Sequence, residues 1–187
     1  MVRIRAHGSL ASMAQHTPRR LLIVRHAKSD QHQPLTVDDH DRPLNARGRR
    51  DAPALGRWLA VADLAPDLVL CSSALRAQQT WQLAADELAQ APALQVRPEL
   101  YLASPGKVLA LVREVLADVR TLVVVGHEPV QSTVAQALAG PSSLPQALTA
   151  LAAGFSTSAV AVLEVPGPWD ALQPHDGRLT AFAVPRG

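Results

Sequence analysis

"RRLLIVRHAKSD", Arg19–Asp30, is the stretch whose reading decides the fold of this chain. Four aliphatic residues, Leu21 to Val24, run directly into Arg25, His26, Ala27, Lys28 and Ser29. A short apolar run of this kind reads as a buried strand, central in a parallel sheet. Open α/β sheets hold their ligands at the carboxyl ends of such strands. An arginine and a histidine at that end, followed by another cation, therefore raise a chemical question as well as a structural one.

The same device recurs downstream. "TLVVVGHEPV", Thr121–Val130, is a β-branched run ending in Gly126, His127, Glu128 and Pro129. Between the two lies a second apolar run, "DLVLCS" (Asp67–Ser72), which leads into a helix with Ser72 or Ser73 as its expected N-cap and Arg76 near its start. Strand ends of a parallel sheet lie on one edge, so Arg25, His26, Arg76 and His127 can converge. Two arginines and helix N-termini bind phosphate oxygens, and a neutral imidazole can attack phosphorus. Taken singly, each of these residues is more simply a solvated turn or a surface cap; their joint placement at three strand ends is what carries weight.

The remaining pattern alternates helix and strand. "RRDAPALGRWLAVADL" predicts a helix from Arg49 with Ala52, Leu55, Trp58, Leu59 and Ala62 on its buried face and Pro53 in its first turn. A helix after Ser72-Ser73 carries Ala77, Trp81, Ala84 and Leu88. Leu94–Leu100 reads as an edge strand, and Ser104-Pro105 as the cap and first residue of a helix whose Leu/Val stripe, residues 108–116, is core. Pro129 opens a helix through Leu138, a short one follows near Pro145–Ala153, and "SAVAVLEV" and "RLTAFAV" close the chain as antiparallel edge strands. The fold class is α/β: one domain, residues 19–187, with a mostly parallel sheet and helices on both faces. Residues 1–18 read as a disordered extension, and the polar stretch between Ser29 and Gly48 as a long loop.

Composition excludes several classes. The 187 residues carry 48% hydrophobic and 18% charged side chains, the range of an ordinary globular domain. A net charge of +2, with 3% aromatic residues and no Lys/Arg run, argues against nucleic acid as partner. No stretch approaches the roughly 20 apolar residues of a membrane helix. The single cysteine, Cys71, cannot form an intramolecular disulfide, and the expected location is the cytoplasm.

Competing motifs fail on spacing. "CSSALR" is one residue short of a Cys-x5-Arg phosphatase loop, and Cys71 reads as a small buried hydrophobe. His26, His32 and His40 lack metal-ligand spacing, so His32 and His40 read as solvated loop residues and no metal or other cofactor is expected. "HEPVQ" is not a zincin motif, and neither a Walker A loop nor a Gly-x-Gly-x-x-Gly stretch occurs.

"LLIVRHAKS" resembles the signature segment of the histidine phosphatase (phosphoglycerate mutase-like) superfamily. The resemblance continues, in family order, through "DRPLNARGRRDAPALGRWL", "PDLVLCSSALRAQQT", "LVVVGHEPV" and "TSAVAVLE". Length and the "RHAKS" form are most similar to the compact SixA-type phosphohistidine phosphatases. The resemblance implies a nucleophile at His26, phosphate-binding arginines at Arg25 and Arg76, and a second histidine at His127 that donates to phosphate. It places Arg42 near the pocket mouth, with Ser29 and Lys28 as further contacts. The wider family uses a carboxylic general acid; Glu99 lies in the corresponding region, with Asp30 and Asp41 as alternatives in the loop. Glu128 stands where an uncharged residue is expected, so it should point outward or pair with a cation. Ala27 replaces the commoner glycine, which negative φ would permit. The implied substrate is a phosphorylated protein or a small phosphate-bearing molecule. The readings that remain open are a phosphohistidine phosphatase, a sugar or carboxylic phosphate phosphatase of the same fold, and a phosphate-binding module without turnover.

Overall fold

The computed structural model describes residues 18–31 and 38–187; apart from Pro18 the expected extension lies outside the described residues, as does His32. Four strands run parallel: β1 (Arg19–Arg25), β2 (Leu68–Ser72), β3 (Ala93–Arg97) and β4 (Thr121–Gly126). Two more, β5 (Val160–Val165) and β6 (Arg178–Ala183), complete a six-stranded sheet in the order β3-β2-β4-β1-β5-β6. β5 is antiparallel to both β1 and β6, so it lies inside the sheet, and of the last two strands β6 alone is an edge. β3 is the opposite edge, as expected, and Pro98 ends it by supplying no donor.

Among the described residues five α-helices cover the sheet: α1 (Ala46–Val61), α2 (Leu75–Ala85), α3 (Pro105–Arg113), α4 (Val130–Leu138) and α5 (Pro145–Ala152). Alternate residues of each strand face opposite ways. Leu22, Val24, Val69, Cys71, Val123 and Val125 pack with Leu55, Leu59, Ala77 and Trp81 of α1 and α2. Leu21, Ile23, Leu70, Leu122 and Val124 pack with residues of α3, α4 and α5. Leu21 to Val24 are wholly buried, which explains an unbroken apolar run without alternation. At about 1.5–3 kcal/mol per buried aliphatic side chain, these strands dominate the core.

Several expectations are corrected. α1 begins at Ala46, a turn earlier than Arg49, because the Asn45 side chain accepts the Gly48 N–H at 2.9 Å and caps it. Pro53 therefore sits inside the helix, where it forgoes one backbone hydrogen bond. Ala62 is the exposed C-cap rather than part of the buried face. The stripe in α3 holds for Val108, Leu111 and Val112, but the helix ends at Arg113 and leaves Leu116 exposed. The N-cap of α2 is Ala74, with no side-chain bond; Ser72 is engaged elsewhere.

Asp51 of α1 is buried, and its carboxylate takes Arg186 Nη1 at 2.9 Å, Arg47 Nε at 3.3 Å and the Gly187 N–H at 3.3 Å. Arg186 also reaches the Thr157 carbonyl and Ser156 Oγ, so the chain's last residues tie α1 to the segment before β5. Asp51 is the buried member while Arg47 and Arg186 reach solvent, so removing it loses charge-assisted hydrogen bonds without stranding a buried charge. Asp51→Ala is expected to lower unfolding free energy by about 2 kcal/mol, read from urea denaturation midpoints.

Candidate active site

The register of three strands assembles the candidate residues. Arg25 of β1 pairs with Gly126 of β4, and Cys71 of β2 pairs with Val125. One step past these pairs, His26 and His127 emerge side by side, with ring centroids 5.1 Å apart, and Ser72 ends β2 beside them. Arg76 follows in the first turn of α2 and is 5% exposed.

His26 is 7% exposed, and its Nδ1 lies 2.7 Å from the Ala27 carbonyl oxygen. A carbonyl can only accept, so Nδ1 carries the proton and Nε2 presents a bare lone pair. The neighbouring backbone is held from several sides. The Ala27 N–H donates to Thr80 Oγ1 at 2.9 Å, the His26 N–H to the Gly126 carbonyl, and the Ser158 N–H to the His26 carbonyl. Gly48 seats the start of α1 against this segment; a Cβ there would collide with the Lys28 carbonyl oxygen. Ala27 does not have positive φ, so its methyl group is accommodated.

Burial and charge keep both imidazoles neutral. His26 is lowered to about 3, first by desolvation and then by His127, Arg76 and Arg25. His127 is lowered to about 4, again first by desolvation and then by Arg76, with Asp39 opposing. Burial, more than the cations, sets the protonation state.

The arginines are anchored on one edge and open on the other. Arg25 Nη1 donates to the Phe155 carbonyl at 2.7 Å, and burial lowers its pKa. Arg76 gives Nη1 to the Asp39 carbonyl at 2.6 Å and Nη2 to the Asp39 carboxylate at 3.0 Å. Arg25 Nε, Arg76 Nε and His127 Nδ1 are buried and have no partner among the described residues. Buried polar nitrogens are ordinarily satisfied, so these three, in the same cluster as the bare Nε2 of His26, fit a multiply charged oxyanion.

The other predicted residues fall into place differently. Arg42 does lie near the pocket, yet its Nη1 donates to Ser29 Oγ at 2.6 Å and its Nε and Nη2 to Asp39 Oδ1, so Ser29 serves Arg42. The Lys28 carbonyl accepts the Asn45 N–H at the start of α1. Glu99 is exposed and paired with Arg97 at 3.2 Å, and its own backbone N–H and Arg97 lower its pKa, the reverse of what a proton donor needs. Asp41 contacts His40 on the surface. Glu128 accepts the Ser132 N–H at 2.9 Å and the Ser132 hydroxyl at 2.6 Å, steadying α4; it makes no direct ion pair among the described residues, but its charge couples to Arg25 and favours the protonated guanidinium. His40 is not simply solvated, since it bonds Ser73 Oγ and packs T-shaped against Tyr101. Cys71 is a buried hydrophobe whose thiol is pushed up to about 12.

Three participants escaped sequence reasoning. Asp39 is lowered to about 2: desolvation opposes this, while Tyr101 and Arg42 hydrogen bonds and the Arg76 charge outweigh it. Tyr101, the chain's single tyrosine, donates to Asp39 Oδ2 at 3.0 Å and stacks T-shaped with His127, ring centroids 5.9 Å apart. Ser72 Oγ lies 2.8 Å from His127 Nε2. The acidic residue three places before the "DRPL" arginine was the available signal for Asp39; nothing local marks Tyr101. A cavity of about 200 Å³ adjoins the cluster, lined by Leu100, Tyr101, Ala103, His127, Pro129 and Val130 among others.

Comparison with known proteins agrees with this geometry. The family model described as "Histidine phosphatase superfamily (branch 1)" matches residues 21–108. An uncharacterised protein of Mycobacterium tuberculosis (strain H37Rv) is 43% identical over 164 residues, covering 87% of this chain and 100% of the relative. The structure of a candidate phosphohistidine phosphatase SixA from Nakamurella multipartitia superposes with a TM-score of 0.78 at 33% identity, over 89% of this chain and 96% of that one. Its counterpart from Agrobacterium tumefaciens gives 0.76 at 29%, over 90% and 99%. The chain belongs to the histidine phosphatase superfamily and is of its SixA type. By family it is a phosphatase. No helix among the described residues is long and apolar enough to cross a membrane.

The depressed histidines have a measurable consequence. An unfolded imidazole takes up its proton near pH ~6.5, whereas folded His26 and His127 resist until about 3 and 4. Below pH ~6.5 the unfolded state therefore binds more protons, and stability falls as pH drops toward those values. Neither ring should titrate between pH 8 and 5.5 in NMR spectra, and the melting temperature should decline below pH ~6.5 less steeply in His26→Phe.

Proposed function

We propose that this phosphatase transfers the phosphoryl group of phosphohistidine in a protein to His26 and then to water, with no metal ion. The observation that carries this reading is the His26 ring itself: Nδ1–H held by the Ala27 carbonyl, and Nε2 bare among Arg25, Arg76 and His127. A binding module has no need of a buried, neutral, oriented nucleophile.

In the first step the Nε2 lone pair forms an N–P bond as the bond from phosphorus to the leaving group breaks. Arg25 and Arg76 neutralise the equatorial oxygens, and neutral His127 lies beside them to donate a hydrogen bond. In the second step water attacks phosphorus, the N–P bond breaks, and inorganic phosphate departs with the proton released to solvent. Such transfers rest almost entirely on positioning and charge stabilisation. The arginines supply the charge that a divalent ion supplies elsewhere.

The carboxylates favour phosphohistidine as substrate. Glu99 is ion-paired away from the histidines, and Asp39 is held as an anion by two arginines and Tyr101. An alkoxide leaving group needs a positioned proton donor, which contributes about 10²–10⁴-fold. Imidazole, whose conjugate acid has a pKa near ~6.5, can take its proton from solvent.

His26→Ala is expected to abolish both turnover and the acid-labile phosphate trapped on the protein. Arg25→Ala and Arg76→Ala should raise KM and lower kcat together, because arginines hold both ground and transition states. Full activity in His26→Ala, or label on another residue, would remove the basis of this reading.

With EDTA present throughout, kcat/KM for a phosphohistidine peptide should exceed that for phosphoserine or a sugar phosphate by at least about 10²-fold. Comparable values, or a collapse of alkyl-phosphate turnover alone in Glu99→Gln, would move the protein to the small-molecule phosphatases. Loss of activity on chelation, restored by a divalent ion, would overturn the metal-free mechanism.

A further inference from the structure

Ser72 has a position that neither capping nor packing accounts for. It is the last residue of β2, it is 0% exposed, and its hydroxyl lies 2.8 Å from His127 Nε2. The same oxygen accepts the Ala74 N–H at 3.3 Å. Its own proton then has one acceptor within reach among the described residues, His127 Nε2. On the other side of the ring, Nδ1 is buried and faces no protein partner. His127 can therefore meet a phosphate oxygen only through Nδ1.

A neutral imidazole has one N–H, and which nitrogen carries it decides whether His127 helps or hinders. With the proton on Nε2, the ring would donate to Ser72 Oγ, the serine proton would have no acceptor, and Nδ1 would turn a lone pair toward an anion. With the proton on Nδ1, every group is satisfied: Ala74 N–H to Ser72 Oγ, Ser72 O–H to Nε2, and Nδ1–H free for phosphate. We propose that Ser72 is a positioning residue that holds His127 in the Nδ1–H tautomer, making it a neutral donor to the transferring phosphoryl group. The donor role rests on the function proposed above; the tautomer does not. The groups around the ring are Arg25, Arg42, Arg76 and Asp39, with His26 and Tyr101 as ring neighbours and Glu128 next in the chain. None of these bonds Nε2; among the described residues Ser72 alone does so.

Long-range ¹H–¹⁵N spectra of ¹⁵N-histidine-labelled protein at pH 7 read the tautomer directly. The wild type should show His127 protonated at Nδ1, and Ser72→Ala should shift it to Nε2–H or a mixture. For an aryl phosphate, Ser72→Ala should lower kcat by about 10-fold or more, approaching the 10²–10³ of a lost oxyanion donor, with KM changed far less. Ser72→Cys, with a weaker donor of similar shape, should fall between, and it serves as the test if the alanine variant does not fold. In a His127→Ala background, Ser72→Ala should add no further loss of kcat. A wild-type spectrum with Nε2 protonated overturns the proposal, as does an unmoved tautomer in Ser72→Ala and Ser72→Cys, or additive losses in the double variant. If no turnover is found at all, the spectra still decide the tautomer, and the failure belongs to the function proposed above.

Discussion

The parallel pairing of β1 with β4 in the register Arg25↔Gly126 is the constraint on which the rest of this molecule depends. A slip of one residue would send the buried side chains of β1 to the opposite face and part the two histidines. Burial on both faces forbids that slip, since Leu22 and Val24 are committed to α1 and α2 while Leu21 and Ile23 are committed to the other helices. The chain leaves β1 toward the face of α1 and leaves β4 toward the face of α4. Strands whose connections diverge in this way open a crevice at their carboxyl ends, where α/β sheets bind ligands. Hydrophobic packing thus sets the spacing of the imidazoles.

That arrangement creates an electrostatic problem that the fold answers asymmetrically. Arg76 is almost wholly buried, and an uncompensated charge there would be costly. Asp39 compensates it with a carbonyl and a carboxylate oxygen on the two terminal nitrogens, and Arg42 and Tyr101 hold the same carboxylate. Arg25 instead leans on the Phe155 carbonyl and the more distant charge of Glu128. In both cases the anchoring groups take terminal nitrogens and leave Nε uncommitted. The guanidinium planes are fixed before any anion arrives, so less rotamer entropy is lost on binding.

The strands, their direction and the four residues at their ends were legible because each signal is local: an aliphatic run, then a polar residue at its end. The C-terminal pair was read as antiparallel for the same reason, but the place of β5 inside the sheet was not, since strand order depends on which neighbour a strand meets. The start of α1 differs from expectation because a proline such as Pro53 most often marks a first turn, whereas here Asn45, two turns earlier, supplies the cap. Within the site, Asp39 and Tyr101 are 62 positions apart, and a bond between them leaves no periodic trace. Ser72 was read as a helix cap because serine before a helix most often is one; only the position of β4 shows that its hydroxyl turns to His127 instead.

The backbone around His26 shows how completely this fold commits itself to one side chain. The His26 N–H is taken by Gly126 of β4 and its carbonyl by Ser158 ahead of β5. The Ala27 N–H is taken by Thr80 of α2, and the Ala27 carbonyl by the imidazole. The Lys28 carbonyl is taken by Asn45, the cap of α1, with Gly48 pressed against it. Elements on both sides of β1 therefore hold a three-residue segment from separate directions. Such over-determination suits the role proposed for His26, because misplacement of a nucleophile by an ångström can cost about 10²-fold in rate. A flexible segment would bear the cost of ordering that imidazole each time a ligand bound, whereas here it is met once, on folding.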